Sequence, residues 1–178
     1  MSSSTKHLVL VGLMGAGKTT VGERCAELLD RAFLDTDQLV EANTRMGVAE
    51  IFAHHGEQQF RVLERDAIAD ACASPVPLVI ACGGGAVLDP ENRRQLRTAG
   101  VVVWLQASAE VLGARVDADA GSSRPLLAGA PPTATLERLR ASREPSYEAV
   151  AHVQIDTEGR TVDEVAAAVI EEYRAWNG

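Results

Sequence analysis

The chain has 178 residues, of which 46% are hydrophobic, and this is enough to bury one sizeable core. Its net charge of −8 and its pI near 5.0 argue against a nucleic-acid-binding face, so an anionic ligand must be held by a local group of arginines. The three cysteines lack metal-ligand spacing, and no apolar run approaches the roughly 18 residues of a membrane span, so we expect a cytoplasmic protein with reduced thiols and neither membrane nor nucleic-acid partner.

The first predicted strand runs directly into a glycine-rich turn. Residues 8–11 are apolar, and Gly12, Gly17, Lys18 and Thr19 then match the pattern G-x-x-x-x-G-K-[ST]. Such a turn directs backbone N–H groups and a helix N-terminus at a polyphosphate, with the lysine on the β- and γ-phosphates and the threonine on Mg²⁺. A glycine-rich turn with a surface lysine is the alternative. A chain with two lysines and fifteen arginines favours a specific role for Lys18.

Predicted strands and helices alternate along the rest of the chain. The helices cover residues 18–29, 38–43, 48–55, 57–72, 90–99, 109–116, 133–146 and 161 to about 176, and the later strands cover 32–35, 78–81, 101–105 and 152–156. Most strands are apolar throughout, which is typical of a parallel sheet covered on both faces. We therefore predict one three-layer α/β/α domain, residues 1–178, with a five-stranded parallel sheet.

Residues 117–132 interrupt the helical periodicity and are rich in Asp, Gly, Ser and Pro. A long irregular segment inside a compact domain often serves as an active-site lid. We expect a mobile lid that brings Arg124 over the γ-phosphate of a nucleotide and excludes water. The alternative is a surface loop with one solvated arginine.

Two carboxylates, Asp35 and Asp37, follow the second strand, at the sheet edge where ligands bind. One could serve Mg²⁺ and the other a substrate hydroxyl. The third strand ends without a carboxylate, so Asp35 is the better candidate for the metal. The alternative for Asp37 is an ordinary N-cap of a helix that begins at Gln38.

The third strand ends instead in Gly83-Gly84-Gly85, which would let the backbone approach a ligand closely or would form a simple tight turn. Arg61 could hold an anion, or it could pair with Glu64 on a solvated helix face. Arg115, Arg143 and Arg160 are open to the same two interpretations.

Taken in order, these motifs resemble the shikimate kinase family. The resemblance rests on 12–22, Asp35-Thr-Asp37, Gly56-Glu57 before Phe60-Arg61, Gly83–Gly85, Arg124-Pro-Leu-Leu127, and Arg143 before Tyr147. It implies a P-loop fold of the nucleoside-monophosphate-kinase type with sheet order 2-3-1-4-5 and a substrate-binding helical region at about 38–72. It also implies transfer of the γ-phosphoryl group of MgATP to the 3-hydroxyl of shikimate, in the biosynthesis of chorismate and aromatic amino acids, by a monomer.

The same resemblance implies roles for individual residues. Lys18, Asp37 and Arg124 would act in catalysis, with Asp37 orienting or deprotonating the attacking hydroxyl. Thr19 and Asp35 would hold Mg²⁺. The shikimate site would comprise Asp37, Arg61, Gly83, Gly84, Gly85 and Arg143. The ATP site would comprise Gly15, Ala16, Gly17, Lys18, Thr19, Thr20, Arg115, Arg124 and Arg160.

Three other functions are compatible with a phosphate loop. A gluconate kinase shares the loop and fold, but the two arginines, the glycine run and the Arg-Pro-Leu-Leu segment favour shikimate. A nucleoside-monophosphate kinase is expected to have more arginines in its lid than the single Arg124. A regulatory protein that binds nucleotides without catalysis would have no reason to keep all of these polar residues together.

Overall fold

A parallel sheet forms the centre of this computed structural model, which describes residues 6–118 and 132–176. Within these residues its strands are His7–Val11 (β1), Phe33–Asp35 (β2), Val79–Ala81 (β3), Gly100–Gln106 (β4) and Val153–Asp156 (β5). They pair in parallel in the order β2-β3-β1-β4-β5. The predicted five-stranded parallel sheet and its strand order are confirmed.

Helices cover both faces of this sheet. They are Lys18–Leu29 (α1), Thr36–Thr44 (α2), Val48–Cys72 (α3), Pro90–Ala99 (α4), Ala109–Ala118 (α5), Pro132–Val150 (α6) and Val162–Ala175 (α7), with a 3₁₀ turn at Ala86–Leu88. Helix α1 packs against α7, α3 against α4, and α5 against α6. Among the described residues no helix is long and apolar enough to cross a membrane.

The central strand explains where the phosphate-binding turn lies. Strand β1 pairs with β3 on one side and with β4 on the other, and its residues Leu8, Val9 and Leu10 have no exposed surface. A strand that is apolar throughout, without alternating polar residues, indicates that both faces of the sheet are buried at this strand. The turn after Val11 therefore starts in the middle of the carboxyl edge of the sheet, where parallel α/β folds bind ligands.

Helix α1 lies very close to β2. A Cβ atom on Gly22 would be 2.5 Å from the Phe33 ring, so the helix approaches the strand only because this residue lacks a side chain. The contact fixes the position of the first turn of α1, which carries Lys18 and Thr19.

Many predicted boundaries differ from the observed ones by one or two residues, and two differences bear on the site. Helix α2 begins at Thr36, not Gln38, and its N-cap is Asp35, whose Oδ1 accepts hydrogen bonds from the backbone N–H of Asp37 and Gln38. The alternative that made Asp37 the N-cap is therefore wrong. Helix α6 continues through Pro145 to Val150, because the buried Tyr147 and Val150 anchor its last turn in the core. Most of the expected lid, residues 119–131 with Arg124, lies outside the described residues.

Two histidines complete the hydrogen bonding at the amino edge of the sheet. The backbone N–H of Leu78 donates to His7 Nδ1, and that of Val102 donates to His152 Nδ1, both at 3.0 Å. Each ring must therefore carry no proton on Nδ1. Burial lowers the pKa of both imidazoles, since it disfavours the charged form.

Candidate active site

A cleft of about 840 Å³ opens around the turn after β1. We call its two walls the β2 side, which includes Asp37, Arg61, Glu64, Gly83–Gly85 and Arg143, and the β5 side, which includes Arg115, Thr157, Arg160, Val162 and Val165. Residues Gly15, Ala16, Gly17, Lys18, Thr19 and Thr20 lie between them. The described residues predicted for the ATP and shikimate sites therefore line a single cleft.

The turn has the backbone that phosphate binding requires. Gly15 and Gly17 have φ of 82° and 90°, in the left-handed region that favours glycine. Gly17 is the N-cap of α1 and no side chain caps the helix, so the N–H groups of its first turn remain available to an anion. Lys18 Nζ donates to the carbonyls of Gly12 at 2.8 Å and Leu13 at 3.0 Å, which holds the ammonium group against the loop.

The two predicted Mg²⁺ ligands are in direct contact. Thr19 Oγ1 donates a hydrogen bond to Asp35 Oδ2 at 3.0 Å. The other oxygen of Asp35 caps α2, so its carboxylate has a fixed orientation. A hydroxyl and a carboxylate are hard oxygen donors and suit Mg²⁺. Within the described part of the chain, no group of three or more His, Cys, Asp or Glu side chains could hold a metal. Phosphate and water oxygens would have to complete the shell.

Asp37 lies deeper on the β2 side. Its buried Oδ1 has no hydrogen-bond partner among the described residues. Burial raises the pKa of Asp37 to about 7, and the charges of Asp35 and Glu64 add to the effect while Lys18 and Arg61 oppose it. A carboxylate with this pKa can accept a proton at neutral pH.

Arg61 is held by two glutamates on α3. Its guanidinium donates to Glu57 Oε1 at 3.0 Å and to Glu64 Oε2 at 2.8 Å. The predicted pairing with Glu64 exists, but the face is not solvated, because Glu64 is only 1% exposed. Burial raises the pKa of Glu64, and Arg61 partly offsets this. Glu64 is a residue of the cleft that the sequence suggested only as a surface partner.

Arg143 reaches the glycine run from α6. It is 4% exposed, and its buried Nη1 has no hydrogen-bond partner among the described residues. That atom would lie 3.5 Å from a Cβ on Gly84, and a Cβ on Gly85 would lie 2.6 Å from Cζ of Arg61. The two guanidinium groups therefore flank the glycine run. A buried cation without a full set of partners is costly, and an anionic ligand would relieve that cost.

The β5 side is organised by Arg115. Its Nη1 donates to Thr157 Oγ1 at 2.9 Å and to the Gly15 carbonyl at 3.3 Å, and its Nη2 donates to the Thr157 carbonyl at 3.1 Å. Arg160 instead donates to the carbonyls of Asp156 and Glu164 and is exposed. Both arginines border the cleft, and their role in an ATP site stays a prediction. Arg124 lies outside the described residues.

Comparisons with known proteins decide the family. The model of the family described as Shikimate kinase matches residues 14–174. The chain belongs to the shikimate kinase family. It is 48% identical over 168 residues to the shikimate kinase of Symbiobacterium thermophilum, which covers 94% of this chain and 96% of that protein.

Solved structures of shikimate kinases have the same architecture. The structure of the shikimate kinase from Acinetobacter baumannii in complex with shikimate has a TM-score of 0.91 at 36% identity, over 97% of this chain and 95% of that one. A gluconokinase from Sinorhizobium meliloti has a TM-score of 0.62 at 20% identity, over 97% of this chain and 94% of the other, a likeness of fold alone. The nucleoside-monophosphate-kinase-like fold expected for the shikimate kinase family is confirmed.

Proposed function

We propose that this member of the shikimate kinase family transfers the γ-phosphoryl group of ATP to the 3-hydroxyl of shikimate, giving shikimate 3-phosphate and ADP. The observation that carries the proposal is the pair Arg61 and Arg143, which flank Gly83–Gly85 beside Asp37 and next to the phosphate-binding turn. A planar carboxylate fits two guanidinium forks, and they allow a chain of net charge −8 to hold an organic acid. We further propose that residues 1–178 act as one domain, as a cytoplasmic monomer, in chorismate and aromatic amino-acid biosynthesis.

The acceptor binds on the β2 side. The carboxylate of shikimate lies between Arg61 and Arg143, and Gly83, Gly84 and Gly85 let its ring approach the backbone. Side chains would not fit at two of these glycines. A Cβ on Gly83 would be 2.7 Å from Asp37 Oδ1, and a Cβ on Gly85 would be 2.6 Å from Arg61 Cζ. Oδ1 of Asp37, which has no hydrogen-bond partner among the described residues, can accept a hydrogen bond from the 3-hydroxyl.

ATP binds across the turn and the β5 side. The backbone of Gly15, Ala16 and Gly17, the hydroxyls of Thr19 and Thr20 and the ammonium of Lys18 surround the phosphates, while Arg115 and Arg160 border the nucleoside. The 3-oxygen of shikimate forms the new bond to the γ-phosphorus, the bond to the β-γ bridging oxygen breaks, and Asp37 takes the hydroxyl proton. Lys18 stabilises charge on the transferring oxygens, and the sequence assigns the same task to Arg124.

Mg²⁺ is the metal for which the residues of the turn are suited. Thr19 and Asp35 would hold it, in keeping with their contact at 3.0 Å and their hard oxygen atoms. When bound, Mg²⁺ neutralises charge on the phosphate oxygens and helps to align them.

A coupled assay of ADP release tests the proposal. The purified protein is supplied with MgATP and, separately, with shikimate, gluconate and each nucleoside monophosphate, and the phosphorylated product is identified by mass spectrometry. We expect turnover with shikimate alone. Turnover with gluconate or a nucleotide in its place, or with no acceptor, would contradict the proposal.

A further inference from the structure

Two buried threonines, Thr36 behind the β2 side and Thr157 within the β5 side of the cleft, have not been assigned to either ligand. We propose that Thr36 is a positioning residue for shikimate and that Thr157 is a positioning residue for ATP. This rests on the proposed function, because it assigns the β2 side to the acceptor and the β5 side to the nucleotide. Each threonine acts through its hydroxyl, which joins segments that come from different strands.

Thr36 joins the Asp35–Asp37 turn to the glycine run. It has no exposed surface, and its Oγ1 accepts a hydrogen bond from the backbone N–H of Gly83 at 3.1 Å. The pairing of β2 with β3 ends at Asp35 and Ala81, so the Thr36 hydroxyl supplies an acceptor just beyond the last paired residues. This hydrogen bond keeps the two segments in contact beyond the last residues paired in the sheet.

The segments that Thr36 joins are already in close contact. A Cβ on Gly83 would be 2.7 Å from both Asp37 Oδ1 and Glu64 Oε1. A shift of Gly83 by a fraction of an ångström therefore changes the space in front of Asp37 and beside the Arg61–Glu64 pair. The Thr36 hydroxyl sets the spacing of the surface on which shikimate lies.

Thr157 performs the corresponding task on the β5 side. It is 3% exposed, and its hydroxyl donates to the Gln106 carbonyl at 2.9 Å while accepting from Arg115 Nη1 at 2.9 Å. The carbonyl of Thr157 accepts from Arg115 Nη2 at 3.1 Å, so one residue offers two acceptors to the fork of the guanidinium. Because Arg115 also donates to Gly15, these bonds connect the end of β4 with the phosphate-binding turn.

Valine is the most informative substitution at both positions. It keeps the β-branched shape and volume of threonine but removes the hydroxyl. In Thr36→Val the Gly83 N–H loses its side-chain acceptor, and in Thr157→Val Arg115 loses one partner. Serine keeps the hydroxyl and loses only a methyl group, so Thr36→Ser and Thr157→Ser are the rescue variants. Thr98→Val is the matched control, because Thr98 is exposed on α4 and, within residues 6–118 and 132–176, its hydroxyl bonds to the Arg94 carbonyl in its own helix.

The experiment measures kcat and both KM values, together with calorimetric binding of shikimate and of MgADP. Loss of a hydrogen bond to a charged or buried partner corresponds to about a tenfold change in affinity. We expect Thr36→Val to raise the shikimate KM about tenfold and the ATP KM less than about twofold, and Thr157→Val to do the reverse. The serine variants should recover most of the lost affinity, and Thr98→Val should match the wild type.

Three results would overturn the inference. The first is an equal rise of both KM values in either valine variant. The second is a serine variant that is as impaired as its valine counterpart. The third is a loss of thermal stability with both KM values unchanged. If Thr36→Val does not fold, Thr36→Ala is measured in its place. Failure of the wild type to phosphorylate shikimate would instead contradict the proposed function, and the binding of shikimate and MgADP to the variants would still decide the roles of the two threonines.

Discussion

Asp37 and Glu64 each direct one carboxylate oxygen to the same point beside Gly83, 2.7 Å from where a Cβ atom would lie. Neither oxygen has a hydrogen-bond partner among the described residues. Burial raises the pKa of both groups, and the charge of Glu64 adds to the rise at Asp37. The unliganded cleft therefore contains two acids that are costly to ionise, which places a local stability cost at the point where the acceptor binds.

Asp37→Asn should stabilise the fold and abolish most activity. The raised pKa, about 7 against an ordinary 3.8, means that the folded state favours the neutral acid, so ionised Asp37 costs stability increasingly as pH rises from about 4 to 7. At pH 8 we expect a gain on the order of 1–2 kcal/mol in the free energy of unfolding, shrinking towards pH 4, and a fall in kcat of at least about 100-fold. Urea unfolding at both pH values and steady-state kinetics test this.

Asp35→Asn is the matched comparison for Asp37→Asn. The change keeps an acceptor for the cap but removes the negative charge at the N-terminus of α2 and beside Thr19, so it should lower stability by up to about 1 kcal/mol and shift the Mg²⁺ dependence of the rate. Identical Mg²⁺ titrations for the two variants would refute the separate roles of the two aspartates.

Lys18→Ala should abolish measurable phosphoryl transfer and leave the fold intact. The ammonium sits against the carbonyls of Gly12 and Leu13 inside the turn, and no other lysine lines the cleft. Lys6→Ala is the control, because Lys6 is the chain's other lysine and is exposed. A near-normal kcat in Lys18→Ala, with a normal circular dichroism spectrum, would contradict the proposed role of Lys18 in phosphoryl transfer.

Arg61→Lys and Arg143→Lys should both weaken shikimate binding. A lysine places one point charge where the guanidinium offers a planar fork, and loss of a desolvated charged partner typically costs about 2–5 kcal/mol. The shikimate KM should rise and the ATP KM should change little. Arg65→Lys, one turn along α3 and paired with Asp89, is the control. An unchanged shikimate KM in either cleft variant would count against the proposed carboxylate site.

Arg124→Ala tests the role that the sequence gives to residues 117–132. A group that meets the γ-phosphate mainly in the transition state affects kcat more than either KM, and arginines of this kind contribute on the order of 10³-fold in related enzymes. Arg138→Ala, at an exposed position of α6, provides the comparison. If Arg124→Ala retains most of the wild-type kcat, the segment has no part in catalysis.

Acidification should weaken the fold through His7. Its Nδ1 accepts the Leu78 N–H, and burial lowers its pKa below 6.5, so the unfolded chain binds the proton first and stability falls as pH drops below about 6.5. His7→Asn retains an acceptor near the position of Nδ1 but does not titrate. We expect its free energy of unfolding to decline less between pH 7.5 and 5 than that of the wild type, and equal declines would contradict this.

The periodicity and turn chemistry of the sequence were sufficient to predict much of the fold. The apolar strands and the limits of the helices near Gly47, Gly56 and Thr161 depend on local pattern. In the structure Gly47 is the N-cap of α3, Gly56 interrupts the helical backbone inside α3 with a φ of 80°, and Thr161 forms a capping box at the start of α7. The start of α2 was mispredicted because Asp35 and Asp37 are both good caps. In the structure Asp35 Oδ1 makes the cap. Local preference cannot choose between two such residues two positions apart.

Burial of charged residues was the feature that sequence did not reveal. An Arg–Glu pair three residues apart is typical of a solvated helix face, yet Glu64 is almost fully enclosed, and Arg143 is buried from a helix whose apolar pattern is weak. Both side chains are buried because α3 and α6 both pack against the 3₁₀ turn that follows β3. This arrangement depends on tertiary packing, which cannot be inferred from local periodicity.

The missing side chain at Gly22 also has a consequence for chemistry several residues away. Because the Phe33 ring occupies the place of a Cβ, α1 settles against β2, and the strand ends two residues later at Asp35. Thr19 lies in the first turn of the same helix, three residues before Gly22, so the distance from its hydroxyl to Asp35 depends on how closely the Phe33 ring packs against α1. An apolar contact behind the site therefore sets the spacing of Thr19 and Asp35, and a single methyl group at residue 22 would change the spacing of the proposed Mg²⁺ ligands without touching either of them.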